Sequence, residues 1–104
     1  MIITNSNVNV EKLERITFIL KTISHPIRLG IVELLHEHER LSVGEICQKL
    51  GSEQSLTSHN LSTMKLKGIL SSKREGKKVY YSLKQRSVIT ILQCLENCEC
   101  NFVK

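Results

Sequence analysis

Tryptophan is absent, proline occurs once, and two Phe and two Tyr are the whole aromatic supply, so a core built from this chain is aliphatic. No apolar run approaches the ~20 residues of a membrane span. No basic start leads into the apolar stretch of a secretory leader, so the chain is expected to stay in the cytoplasm and off the membrane. In that compartment the four cysteines are expected as thiols, metal ligands or redox switches rather than structural disulfides. A carboxylate pair, a nucleophile beside a base and a Gly-rich phosphate loop are also missing, and with them any sign of an enzyme. Ser58 and His59 are neighbours, but on different faces of a helix they cannot form a dyad. At 104 residues a single domain buries about two-thirds of its unfolded surface and folds without staples.

Acidic charge is scarce on one side only. The net charge of +5 comes entirely from residues 51–104, with nine Lys/Arg against four Asp/Glu, whereas residues 1–50 balance six against six. Between Lys65 and Arg86 eight basic residues stand against Glu75 alone. Such a one-sided basic surface is the electrostatic footprint of a nucleic-acid binder.

Residues 1–9 are polar and aperiodic and are expected as a flexible tail. From Val10 the periodicity predicts a helix with Val10, Leu13, Ile16, Thr17 and Leu20 on one face. Ser24-His25-Pro26 ends it, since proline keeps His25 extended and suits the first position of a new helix. Ile27, Ile31, Leu34 and Leu35 give that second helix its buried side. Ser42-Val43-Gly44-Glu45 fits a capping box, opening a short helix with Val43, Ile46, Cys47 and Leu50 in one stripe. Gly51 suits the left-handed turn that stops it, and Ser52 the cap of the next helix.

That next helix offers Leu56, Leu61, Met64 and Leu66 for burial and shows Gln54, Ser55, Thr57, Ser58, His59 and Asn60 in its first two turns. After Gly68, residues 69–74, a Glu75-Gly76-Lys77-Lys78 turn and residues 79–83 read as a hairpin, with Val79, Tyr81 and Leu83 on one face. A last helix carries Val88, Ile91, Leu92 and Leu95 in one stripe, with Ile89 off it. The first and last helices are more apolar than the core requires. Leu13, Ile16, Leu20, Val88, Ile91, Leu92 and Leu95 are therefore expected to form a homodimer interface.

Two short helices joined tightly, the second with short and amide-bearing side chains at its start, suit the DNA major groove. The helix N-terminus favours phosphate, and the hairpin that follows has the basic tip of a wing. The plain alternative is a solvated helix face with tip charges that serve only solubility. The competing function is a winged-helix module that docks a protein and never reads DNA. The basic wing and the Gln/Ser/His face weigh against it.

The segments Ser24-His25-Pro26-Ile27-Arg28-Leu29, Leu41 to Ile46, Gln54 to Leu61, Lys67-Gly68-Ile69-Leu70 and Arg74 to Leu83 occur in that order. Together they resemble the ArsR/SmtB family of winged-helix repressors across residues 10–100, leaving residues 101–104 as a tail. The resemblance implies a mainly α, winged helix-turn-helix fold with a small β-hairpin wing, dimerised through the first and last helices. It implies binding to double-stranded operator DNA and release by a metal, metalloid or thiol-modifying signal. Gln54, Ser55, Thr57, Ser58 and His59 would face DNA, with Ser58 and His59 at base edges and Ser42 at phosphate. Arg74, Lys77 and Lys78 would reach the flanking backbone or minor groove, with Lys65 and Lys67 as further contacts.

Of three inducer sites known in that family, two are absent here and one is half missing. Ser42 and Gly44 stand where many arsenic and cadmium sensors carry Cys-x-Cys. The last helix has neither the Asp nor the His of zinc and nickel sensors. Glu33 replaces the first cysteine of a persulfide-sensing pair whose second falls at Cys100. Cys94, Cys98 and Cys100 remain. Cys94 and Cys98 share a helix edge at i, i+4, and Cys100 joins them if the helix ends near residues 97–99. Three thiolates suit a soft ion such as As(III), Cd(II) or Zn(II); redox or persulfide chemistry is the alternative signal. The fold itself requires no cofactor. The plain reading makes Cys94 and Cys98 small apolar residues at the edge of the dimer stripe and Cys100 an idle thiol. Cys47 reads as core, and His36 and His38 as solvated.

Overall fold

A computed structural model describes residues 9–84, 88–90 and 93; Cys94, Cys98, Cys100, Ile91, Leu92 and Leu95 lie outside the described residues. Helix α1 (Val10–Ile23) starts at Asn9, whose side chain accepts from the Lys12 amide. At its far end His25 is extended (φ −162°) and Pro26 occupies the first turn of α2 (Pro26–Glu37), as the sequence requires. Strand β1 (Leu41–Ser42), α3 (Val43–Leu50), α4 (Gln54–Leu66), β2 (Leu70–Glu75) and β3 (Lys78–Leu83) follow, and residues 88–90 and 93 are again helical. Among the described residues no helix is long and apolar enough to cross a membrane.

Strand β1 was not expected. Two residues are too short to show alternation, and only tertiary pairing makes them a strand. Leu41 lies opposite Tyr81 and Ser42 opposite Tyr80, giving an antiparallel sheet of order β1-β3-β2. Ser42 also caps α3, so the wing and the start of α3 are fixed to one residue. The capping box is complete: the Glu45 amide donates to Ser42 Oγ at 3.2 Å, and the Ser42 amide donates to Glu45 Oε1 at 2.9 Å. Ser42→Ala is expected to cost about 0.5–2 kcal/mol in urea unfolding. The Ser42 amide and hydroxyl hold the Glu45 carboxyl below its ordinary pKa of 4.5. Glu45 therefore binds protons less readily folded than unfolded. Its contribution to stability is intact above that value and is lost as pH falls through the folded pKa.

The core is aliphatic: Ile19, Ile23, Ile31, Val32, Leu35, Leu41, Ile46, Leu61, Met64, Ile69 and Leu70, with Tyr81 the aromatic among them. Val88 joins this core with no exposed surface. It is packed inside the protomer rather than presented on a dimer face, and Ile89 beside it is buried too. Cys47 is half-buried rather than enclosed. Helix α1 inserts Ile19, Thr22 and Ile23 and leaves Val10, Leu13, Phe18 and Leu20 exposed, with Ile16 half-buried.

The rotation of α4 also differs from the expected one. Thr57, Asn60, Leu61 and Met64 recur at i, i+3, i+4 and i+7, and all four are buried. At 3.6 residues per turn, Leu56 and Leu66 each lie about 140° from Leu61. Both are exposed, Leu66 at 87%. Leu61 and Met64 set the phase, and the polar Thr57 and Asn60 are carried inward with them.

Candidate nucleic-acid interface

The turn between α3 and α4 is set locally. Gly51 adopts the left-handed conformation (φ 65°, ψ 33°) and donates its amide to the Cys47 carbonyl at 2.8 Å. Ser52 does not cap α4, whose N-cap position is taken by Glu53 without a side-chain hydrogen bond. Instead the Ser52 and Thr57 hydroxyls pair at 2.5 Å, locking the turn onto the first helical turns. The first amides of α4 are thus left uncapped by any side chain, the condition in which a helix start serves an anion.

Thr57, expected to face DNA, points into the protein and is fully buried. Thr57→Val is expected to cost about 0.5–1.5 kcal/mol, because the hydroxyl pair is lost. The folded variant should bind DNA as tightly as the wild type. A tenfold loss of DNA affinity without loss of stability would return Thr57 to the groove face. Ser42, expected at phosphate, is buried with its hydroxyl and amide committed to the capping box.

The outer face of α4 carries Gln54, Ser55 and His59, all exposed, with Ser58 half-buried. Ser62 is exposed as well. With Ser55 and His59 it forms an i, i+4, i+7 line, a signal present in the sequence that the expectation stopped short of. Lys65 and Lys67 are exposed near the end of the helix, with the Lys67 ammonium 5.6 Å from the Phe18 ring centre. The structure gathers Gly44, Gln48, Gln54, Ser58, Lys77 and Lys78 around one open cleft of about 590 Å³, with Ser42 in its wall. Ser55, His59, Lys65 and Arg74 are not in that lining.

The wing is a tight hairpin. Glu75 lies opposite Lys78, leaving a two-residue loop of Gly76 and Lys77. Only Gly76 has positive φ (64°), which matches the type II′ turn that joins twisted strands. Lys73, Arg74, Lys77 and Lys78 are all exposed. Arg40, which the sequence did not single out, donates Nη1 and Nη2 to the two Glu75 carboxylate oxygens, at 2.6 and 3.0 Å, and lies 4.2 Å above the Tyr80 ring centre. This fork keeps the Glu75 carboxyl below its ordinary pKa. The one acid of the wing is therefore engaged with Arg40 and Lys73, and among the described residues Lys77 and Lys78 form no ion pair. A basic edge stands next to a polar helix face, the pairing needed to hold a phosphate backbone while side chains probe base edges.

Among the described residues no group of three His, Cys, Asp or Glu is placed to hold a metal ion.

Comparison with known proteins agrees with this geometry. Residues 25–72 match the profile of the family described as bacterial regulatory protein, arsR family. The chain is similar to the HTH-type transcriptional regulator YgaV of Escherichia coli (strain K12), 34% identical over 87 residues that cover 84% of this chain and 88% of that one. It is 35% identical over 94 residues to the transcriptional repressor PagR of Bacillus anthracis, covering 90% and 94%. The solved structure of the transcriptional repressor BigR from Xylella fastidiosa matches with a TM-score of 0.78 at 31% identity, over 89% of this chain and 98% of that one.

Proposed function

The chain belongs to the arsR family of bacterial regulatory proteins, DNA-binding transcriptional regulators and not enzymes, and from that premise we propose that it is a homodimeric operator-binding repressor released by a thiophilic or thiol-modifying signal. The observation that carries the DNA reading is the cleft that sets Gln54 and Ser58 of α4 against Lys77 and Lys78 of the wing. With α4 in the major groove, Ser58 and His59 contact base edges, Gln54, Ser55 and Ser62 support them, and the wing lies along the flanking backbone. The apolar face of α1, on which Leu13 and Leu20 are exposed, supports dimerisation. The protein acts on double-stranded DNA in the cytoplasm.

Selection from a random duplex library by the full chain tests this reading. The expected product is a pair of inverted half-sites with centres about 10–10.5 base pairs, or a multiple, apart. Failure to enrich any sequence would overturn it.

The inducer reading rests on three cysteines within seven residues, Cys94, Cys98 and Cys100. Their thiolates form a donor set for As(III), Cd(II) or Zn(II), and the same thiols suit redox or persulfide chemistry. Cys94→Ser with Cys98→Ser is expected to leave DNA affinity intact and to abolish release. With the wild type, release by arsenite or Cd(II) is expected to weaken DNA binding about 5–150-fold. A full response from the double variant would remove these cysteines from the mechanism. Release by persulfide or oxidant but not by arsenite or Cd(II) would select the redox alternative.

A further inference from the structure

Among the described residues Arg28 is the one arginine that is not exposed. From the first turn of α2, its Nε donates to Asn60 Oδ1 at 2.8 Å, and its Nη1 donates to the Thr22 carbonyl at 3.0 Å. Asn60, buried in the middle of α4, donates its own Nδ2 to the Leu56 carbonyl at 2.9 Å. Thr22, buried in the last turn of α1, donates its hydroxyl to the Phe18 carbonyl at 2.8 Å. One side chain thus joins α1, α2 and α4 through directed bonds, and no buried side-chain polar atom among the described residues lacks a partner.

Packing alone does not call for this arrangement. Arg28 is half-buried, and apolar residues of similar volume often serve such a place as well as a charge does. A planar guanidinium contributes direction: its donors lie in a rigid fork and reach both acceptors in few arrangements of the helices. Asn60 lies on the opposite side of α4 from the Ser55-His59-Ser62 line, so the fork adds a directed contact to the rotation that Leu61 and Met64 set by packing. Thr22 lies on α1, whose outer face carries Leu13, Phe18 and Leu20.

We propose that Arg28 is a positioning residue that sets the recognition helix against α1, so that the spacing of the two recognition helices across the dimer is transmitted through this guanidinium. The proposal rests on the operator-binding reading above. It concerns no contact with DNA, since Arg28 stands behind α4.

The test compares Kd for the selected operator and for a scrambled duplex, by fluorescence anisotropy, in the wild type, Arg28→Met, Asn60→Leu, the double variant and Arg28→Lys. Circular dichroism fixes a temperature at which each is folded. Arg28→Met is expected to lose operator affinity by about 5–150-fold, the usual range of coupling between sites, with scrambled-duplex affinity and its salt slope unchanged. The double variant should be no worse than the weaker single variant, because the two residues act as one unit. Arg28→Lys keeps the charge and the stem but not the fork, and should show the same selective loss. A lowered Tm with an unchanged operator-to-scrambled ratio would make Arg28 merely structural and overturn the proposal. Losses that add in the double variant would overturn it as well. Should Arg28→Met not fold, Arg28→Lys decides by the same ratio. A wild type that fails to distinguish the two duplexes would overturn the operator-binding reading and this proposal with it, an outcome separable because no variant is involved.

Discussion

Replacing Ser58 and His59 together with Ala is expected to lower operator affinity by about 30-fold or more, from discrimination of about 1–3 kcal/mol per good base contact. Unrelated duplex should bind almost as before. The expectation follows from where these side chains stand. His59 is exposed, and Ser58 is half-buried where it lines the cleft. Neither belongs to the inward stripe of Thr57, Asn60, Leu61 and Met64 that holds α4 in place. Alanine is the best helix former, so the helix itself loses nothing. Because a two-fold dimer presents the pair twice, the loss on a full operator exceeds that on an isolated half-site. Anisotropy on both duplexes reads the result directly. An equal fall on operator and scrambled DNA would mean that the pair carries no sequence information.

Lys77→Ala with Lys78→Ala should act in the opposite manner, weakening binding to every duplex alike. Lys77 stands in the two-residue loop and Lys78 directly after it; both are exposed and form no ion pair among the described residues. Their charge is therefore free to displace counterions from phosphate. Each phosphate contact contributes about 0.9 to the slope of log K against log[salt]. The double substitution should lower the magnitude of the slope by nearly 2 per protomer if both lysines reach the backbone, by the same ~0.9 per contact. Gly76, which makes the turn, is untouched, and so is the Arg40–Glu75 fork that braces it. An unchanged slope would take the wing tip off the DNA. Together the two variants separate reading from anchoring, since one alters the operator-to-scrambled ratio and the other alters salt dependence.

What was legible in the sequence was local. The Ser42–Glu45 capping box, the Gly51 stop and the Pro26 start each rest on residues within a few positions of one another, and each stands where the spacing put it. The hairpin was legible for the same reason, with Gly76 in the turn and Val79, Tyr81 and Leu83 on one side. The phase of α4 was harder. Four apolar residues, Leu56, Leu61, Met64 and Leu66, cannot share one face of a helix, and only packing decides which two are excluded. That choice drew Thr57 and Asn60 inside, removing Thr57 from the expected DNA contacts, and it left Leu66 outside. Val88 was misplaced by a similar choice, because a stripe of a terminal helix serves a protomer core as readily as a partner.

The remaining gaps come from pairings distant in the chain. Arg28 and Asn60 are 32 positions apart, and Arg40 and Glu75 are 35 apart. No periodicity within either segment announces these contacts. Strand β1 belongs to the same class, since two residues become a strand only by lying against Tyr80 and Tyr81. The sequence announced the caps and turns within each segment better than the contacts that join distant segments.

The measurement closest to the central claim is the affinity of the full chain for its selected operator and for a scrambled duplex of the same length, by anisotropy across a range of salt. The expected result is saturable binding to both, with the operator favoured about 10³-fold or more at physiological salt and both affinities falling steeply as salt rises. Equal affinity for the two duplexes, or binding indifferent to salt, would contradict the assignment of α4 and the wing to operator recognition.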